Sequence, residues 1–278
     1  MTTQKRTPYL TNKDLLREIA RSKNTFCTFL TPEDQVYDLI LPTVNKINQK
    51  TVAEAKRARA DRLAKQAWEA ANATGKKTKL DQHAIDWHTI PKTDLVFRIT
   101  TWDHIPLAPG RKKSLKTTAD HHVKVNFPPF QHYRYNEQDE LICCAKSHWE
   151  GGLENGWFNK DHGKMTNNLA RMFIKLCERY GSKGNWRGYT YNDEMRSQAL
   201  LQLSQVGLQF DESKSNNPFA YYTATITNSF TRVLNVEKRN QHLRDDILEA
   251  NGLNPSYTRQ TDNSIKGGGG GGDFGFND

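Results

Sequence analysis

A mainly α-helical fold, with a small β-containing insert and a flexible carboxy-terminal tail, is what this 278-residue sequence predicts. Three observations point there. Apolar residues recur at spacings of three and four on both sides of the middle of the chain, as the core faces of helices do. From about 76 to 162 the texture changes to β-branched and aromatic runs. Six consecutive glycines, 267–272, then separate the last residues from the rest as a linker. The expected organisation is a helical segment over 1–75, the insert over 76–162, a helical domain over 163–252 and a tail over 253–278.

Taken in order, Thr11 or Asn12 can cap a short helix with Leu15, Leu16 and Ile19 on one face. A second helix start is expected at Thr31-Pro32-Glu33-Asp34, where a cap, an N1 proline and first-turn acids coincide. The Ala, Lys and Arg segment from about 50 to 72 has high helix propensity but few large apolar residues, so it is expected to extend into solvent. It is either a solvated helix or a phosphate-binding arm. Strands are expected in LVFRITTW (95–102), HVKVNF (122–127) and HYRYNEQDELICCA (132–145), with Glu137 to Asp139 at a hairpin tip and Arg111-Lys112-Lys113 in a basic loop. Thr166 caps the helix LARMFIKLCERY, which ends at Gly181. Another helix runs from Asn192 to about Phe210. After the turn DESKSNN, Asn217 and Pro218 open a long helix that stops at Asn251-Gly252, and everything after Ser256 is expected to be tail.

Composition narrows the function classes. Hydrophobic residues make up 36% and mean hydropathy is -0.82, with no apolar run near the ~20 residues that span a bilayer and no apolar core behind the first charges. A cytoplasmic protein without a membrane partner is expected. Cys27, Cys143, Cys144 and Cys177 include no C-x-x-C pair and are expected as reduced thiols. The net charge of +9 suggests nucleic acid, but it is unevenly placed. Residues 1–130 hold 23 Lys and Arg against 13 Asp and Glu, whereas the remainder holds 17 against 18. General attraction to phosphate is therefore assigned to the amino-terminal half.

The long helix from Pro218 has two faces. Phe219, Thr223, Ile226, Phe230 and Leu234 form an apolar stripe expected to be buried. Tyr221, Thr225, Asn228, Arg232, Asn235 and Arg239 form a polar row. Solvated helix faces favour Glu, Lys and Ala over Thr and Asn. Hydroxyls, amides and guanidiniums led by an aromatic can instead stack on bases and bond phosphates. An ordinary solvated surface is the alternative.

Catalytic signatures are missing. His121-His122 and Cys143-Cys144 do not have zinc-ligand spacing, since neighbours on a strand point to opposite faces. No G-x-x-x-x-G-K-[ST] loop or G-x-S-x-G elbow occurs, and Asp161-His162 and Asp120-His121 are ordinary pairs. The expectation is a non-enzyme with no cofactor and no metal.

In EMRSQALLQLSQVGLQFDESKSNNPFAYYTATITNSFTRVL, the most specific element is FDESKSNNPFAYYT: an aromatic-acid pair, a short polar turn and a Phe-x-Tyr-Tyr helix start. This stretch resembles region 2 of bacterial sigma factors, and it is more closely similar to the late-transcription sigma factors of large myophages, particularly those of cyanophages. The resemblance covers roughly 163–250, and YLTNKDLLREI is similar to the family's amino terminus. It implies a sigma region 2-like helical bundle. It also implies a phage protein that binds host core RNA polymerase and recognises and melts a minus-ten-like A/T-rich element of late promoter DNA.

Carried over position by position, Glu194, Ser197, Gln198, Leu201 and Gln202 fall on the polymerase-binding helix, and Tyr222 falls where the melting aromatic stands. The tryptophan pair of the general pattern is replaced by Thr225 and Ile226, so Tyr221 is a candidate to share the wedge. The residues expected at DNA are then Tyr221, Tyr222, Thr225, Asn228, Ser229, Arg232, Asn235, Lys238 and Arg239. The family's tail ends in a sliding-clamp motif and works with a late co-activator. Here Asp273, Phe274 and Phe276 match that motif, but Gly272 and Gly275 stand where apolar residues are expected, which leaves an acidic disordered end as the alternative. Two other classes remain open: a phage regulator or inhibitor that binds polymerase without reading promoters, and a metal-dependent nuclease.

Overall fold

The computed structural model describes residues 10–73, 78–106 and 125–267. The expected strand residues 122–124, the loop Arg111 to Lys113, His121-His122, most of the glycine linker and the clamp-binding end Asp273, Phe274 and Phe276 lie outside the described residues. The fold is mainly α with a small mixed sheet, and no helix among the described residues is long and apolar enough to cross a membrane. Two compact units are present: Met1–Lys175 with Ser204–Tyr222, and Leu176–Leu203 with Thr223–Asp278.

In the first unit, α1 (Asn12–Asn24) begins with a reciprocal cap in which Thr11 Oγ1 accepts the Asp14 N–H at 3.2 Å, and it buries Leu15 and Ile19. The expected helix at Thr31 is a single 3-10 turn, Pro32–Gln35. Its first residues do carry the cap signal, but Asp34 is fully buried and held from several sides. Its carboxylate accepts the Thr31 N–H and hydroxyl, both at 2.9 Å, and lies 3.3 Å from Arg134, while its carbonyl accepts the His132 Nδ1–H at 2.7 Å. These contacts fix the chain to a strand neighbour and turn it out of helical conformation.

The sheet is five-stranded in the order β1-β5-β4-β3-β2, built from β1 (Cys27–Phe29), β2 (Leu39–Leu41), β3 (Val96–Thr100), β4 (Phe130–Tyr135) and β5 (Leu141–Ser147). Only β2 and β3 run parallel. Both edge strands come from the segment expected to be purely helical, so the sheet is not confined to 76–162. The hairpin tip between β4 and β5 does fall at Glu137–Asp139, where Asp139 adopts φ 60°. A two-stranded ribbon, β6 (Trp149–Glu150) and β7 (Trp157–Phe158), follows.

Helix α2 (Gln49–Ala73) corrects the expectation of a helix projecting into solvent. Val52, Ala55 and Ala60 pack with Leu41, Leu95, Phe97 and Ile99 in the core over the sheet. Small side chains allow that close approach. The helix is also fastened electrostatically: Arg62 meets Asp38 at 2.5 Å and Arg59 at 3.4 Å, while the same carboxylate accepts the Val96 N–H at 2.9 Å. On the sheet, the buried Arg98 guanidinium lies between the Tyr37 and Phe130 rings at 3.9 and 3.8 Å. Its Nε–H donates to His132 Nε2 at 2.9 Å. With Nδ1 donating and Nε2 accepting, His132 is neutral, and burial holds its pKa well below the ordinary histidine value.

One ion pair joins the end of α1 to the aromatic-acid motif. Lys23 Nζ, fully buried, lies 2.5 Å from Glu212 Oε2 and donates to the Phe210 carbonyl at 2.6 Å. Burial pulls the Lys23 pKa down and Glu212 opposes that shift. Removing either partner strands a charge in the interior. Glu212→Ala is expected to cost about 3–5 kcal/mol in urea unfolding, and Lys23→Met combined with Glu212→Leu should recover most of that loss. A single substitution costing under about 1 kcal/mol would refute a structural role for the pair.

In the remaining chain, α3 (Asn167–Gly181), α4 (Asn192–Val206) and α5 (Pro218–Ala250) contribute residues to both units. α3 and α5 follow the expected caps, whereas α4 stops at Val206, short of the expected Phe210, and a 3-10 turn, Gly207–Gln209, follows it. Thr166 Oγ1 accepts the Leu169 N–H at 3.3 Å, Asn217 Oδ1 accepts the Ala220 N–H at 3.0 Å, and Gly252 ends α5 with φ 69°. The chain beyond Ser256 is not all tail, because α6 (Tyr257–Gly267) forms there. Buried Asp245 accepts the Ser256 N–H and hydroxyl at 2.8 and 2.7 Å, and Arg259 meets Asp246 and Glu249 at 2.8 and 3.1 Å. These bonds fold the segment back on α5.

Candidate functional site

The second unit is organised by an aromatic cluster. Phe230 of α5 meets Tyr180 and Trp186 edge-on, with ring centroids 5.1 and 5.3 Å away, and the Tyr180 hydroxyl shares a 2.7 Å hydrogen bond with that of Thr227. The loop from α3 to α4 is closed by Asn192, whose amide donates to the carbonyls of Gly181 and Trp186 at 3.0 and 2.9 Å. Ile226, Ser229, Phe230 and Val233 are buried on the inner face of α5. That burial fixes which residues of α5 point outward.

Asn228, Arg232, Asn235, Lys238 and Arg239 are exposed. Asn228, Arg232, Asn235 and Arg239, with Thr231 and Val236, line an open groove of about 460 Å³. Neither Thr231 nor Val236 was anticipated, although each lies three or four positions from a residue of the row. Among the described residues, Arg232, Lys238 and Arg239 make no ion pair. The face therefore presents donors and uncompensated positive charge, suited to phosphate oxygens and to the acceptor edges of bases.

Other expected members are not on this face. Ser229 belongs to the packed side of the helix, and Thr225 is half-buried. Tyr222, expected as the melting aromatic, is fully buried in the first unit. Its hydroxyl donates to the Gly207 carbonyl at 2.7 Å, its ring meets Phe173 edge-on at 4.8 Å, and burial raises its phenol pKa. Gly207 is constrained by the same packing, since a Cβ there would stand 2.5 Å from the Phe173 ring. Tyr222 thus has no free face on which a base could stack. Tyr221 is half-buried, with its hydroxyl 3.3 Å from the Val206 carbonyl and its ring edge-on to Phe210 at 5.6 Å. The expected buried stripe is shifted too, with Phe219 38% exposed and Tyr222 and Val233 in the core.

The five residues expected at the polymerase share one side of α4. Glu194, Ser197 and Leu201 are exposed and Gln198 and Gln202 are half-buried, whereas Met195, Ala199 and Leu203 face the core. Leu201, at 52% exposure, is an apolar residue set among polar ones. A face of this kind can dock a protein. In α3 the Cys177 thiol is pushed up to about 11 by burial, so it is protonated at neutral pH. Among the described residues, no three His, Cys, Asp or Glu side chains are grouped so as to hold a metal ion.

The burial of Tyr222 makes a measurable prediction. Tyr222→Ala should cost about 3–5 kcal/mol of stability through loss of a packed ring. Tyr222→Phe should cost about 1 kcal/mol, the worth of one hydrogen bond. Urea unfolding that moves by less than about 1 kcal/mol for Tyr222→Ala would mean that the ring is not part of the core.

No family model, curated protein or solved structure matches this chain, so the functional assignment rests on the resemblance carried by its motifs and on the surfaces just described.

Proposed function

We propose that this chain is a phage-encoded sigma factor that binds host bacterial core RNA polymerase through α4 and directs initiation at late promoters through the outward face of α5. The observation that supports this most is the exposed row Asn228, Arg232, Asn235 and Arg239, with no carboxylate paired to its arginines among the described residues. A guanidinium or amide bidentate to a base contributes about 1–3 kcal/mol of discrimination, and unpaired cations add salt-dependent attraction to phosphate. The chemistry required is recognition and strand opening, with no bond broken, so the protein is not an enzyme on this proposal. It acts in the cytoplasm of the infected host, on DNA.

The core position of Tyr222 favours a second reading, a polymerase-binding regulator that does not melt promoters. Stacking on an aromatic returns about 1–3 kcal/mol per flipped base. With Tyr222 enclosed, that contribution must come from Tyr221 after a local change or from the polymerase. The two readings separate in one assay with purified bacterial core enzyme. Gln198→Arg should abolish co-purification with core, whereas Arg232→Ala with Asn235→Ala should retain it and reduce promoter-specific initiation at least about tenfold. Unchanged initiation by the double variant would remove the reading face. Inhibition without any initiation, on both duplex and pre-melted templates, would establish the regulator.

The carboxy-terminal end is proposed to bind the phage sliding clamp through Asp273, Phe274 and Phe276, in concert with a late co-activator. Deleting 273–278 should leave basal initiation intact and remove stimulation by a DNA-loaded clamp. Stimulation that survives the deletion would rule this end out as the contact.

A further inference from the structure

We propose that the first unit carries a second nucleic-acid site, a groove between α2 and the sheet that takes a short stretch of single-stranded nucleic acid. The groove has a volume of about 490 Å³, within the range of small-ligand sites. Its walls are Lys56 from α2, Trp87, Lys92 and Tyr135, and its floor is Val52. It is separate in the chain from the α5 row, and all of its lining residues except Tyr135 lie in the half of the sequence with the basic excess.

Charge placement is the first argument. On the next turns of α2, Arg59 and Arg62 are neutralised by the buried Asp38. At the groove the same helix does the opposite. Lys56 has no carboxylate partner among the described residues, and Arg57 lies over the Trp87 indole, 4.7 Å from its centroid, rather than on an acid. Lys92 Nζ is 5.5 Å from the Tyr135 centroid, and its one carboxylate partner, Asp139 at 3.0 Å, is 64% exposed. An exposed pair of that kind contributes little and can exchange for phosphate. Cations held against aromatic rings keep both their charge and most of their N–H donors available.

The second argument is the pairing of planes with charges. Tyr135 is half-buried and still lines an open groove, so it is fixed by packing while part of its ring faces the groove, whereas the Trp87 indole is itself covered by Arg57 and by the His88 ring, whose centroid lies 3.6 Å away. Tyr135 is held edge-on to buried Phe97, with centroids 6.3 Å apart. An anchored aromatic face flanked by lysines and a guanidinium is how single strands are held without sequence preference. A duplex keeps its bases stacked and cannot use such planes. The site is independent of the α5 reading face and stands if that proposal fails.

The test is fluorescence anisotropy of a labelled oligothymidylate of about 12 nucleotides, a usual site size, with the full chain at low ionic strength. Lys56→Glu should weaken binding about tenfold or more and flatten its salt dependence, whereas Lys56→Arg should bind as the wild type. Thermal unfolding of each variant controls for folding. Ultraviolet crosslinking of the same oligomer should map to peptides containing Trp87 or Tyr135. Equal affinity for Lys56→Glu, or a duplex of the same length competing as well as the single strand, would overturn the site. The Arg232→Ala, Asn235→Ala variant separates the two surfaces: if it alone loses oligonucleotide binding, the groove is refuted and the α5 face stands.

Discussion

The buried contact between Lys23 and Glu212 is the constraint on which the arrangement of the first unit turns. Each ion leaves water at a cost of several kcal/mol, and only close, fully bonded geometry offsets that. Lys23 is close to both its partners, with Glu212 and the Phe210 carbonyl within hydrogen-bond distance and the Phe127 ring 5.5 Å from its ammonium, although Glu212 Oε1 is buried without a hydrogen-bond partner. The motif FDES is therefore structural before it is anything else: it carries the counter-ion of a lysine near the other end of the chain. At the opposite end of α1, Asn12 Oδ1 accepts the Phe219 N–H at 3.0 Å, in the first turn of α5. A single helix thus fixes both the approach to α5 and its first turn.

That anchoring has a functional side. Because the start of α5 is held and Tyr222 is packed under it, the aromatic pair at 221–222 is tied to the core, whereas the cations at 232, 238 and 239 stand in solvent beyond the last buried aromatic, Phe230. The division suits a surface that first attracts and orients a duplex by its phosphates. Any stacking by Tyr221 would require loosening its contacts with Phe210 and the Val206 carbonyl.

The caps were the legible part of the sequence. Thr11, Thr166, Asn217 with Pro218, and Gly252 each act within a few residues, and each helix end stands where those side chains put it. What depended on distant partners was less readable. The buried stripe of α5 lies one position from the expected one because two adjacent faces share Ile226 and Phe230, and a tyrosine is at home in water or in a core. Only the Gly207 carbonyl, fifteen positions away, decides for the core at Tyr222. Alanines on α2 looked too small to drive burial, yet their size is what lets the helix close on the sheet. Strands of three residues, such as Cys27–Phe29 and Leu39–Leu41, are too short for alternation to register. The signal for α6 was present in Ser256 as a cap, but the glycines beyond it dominated the composition.

The long reach of α1 sets a schedule for the ribosome. Leu15, Ile19 and Lys23 are translated early, but Phe210, Glu212 and Phe219 follow almost two hundred codons later. At about 5–20 residues per second, α1 waits on the order of 10–40 s before its ion pair can close. Through that interval Lys23 lacks its counter-ion. The ion pair therefore closes only after Glu212 has been made, and α5 acquires its anchored start no earlier.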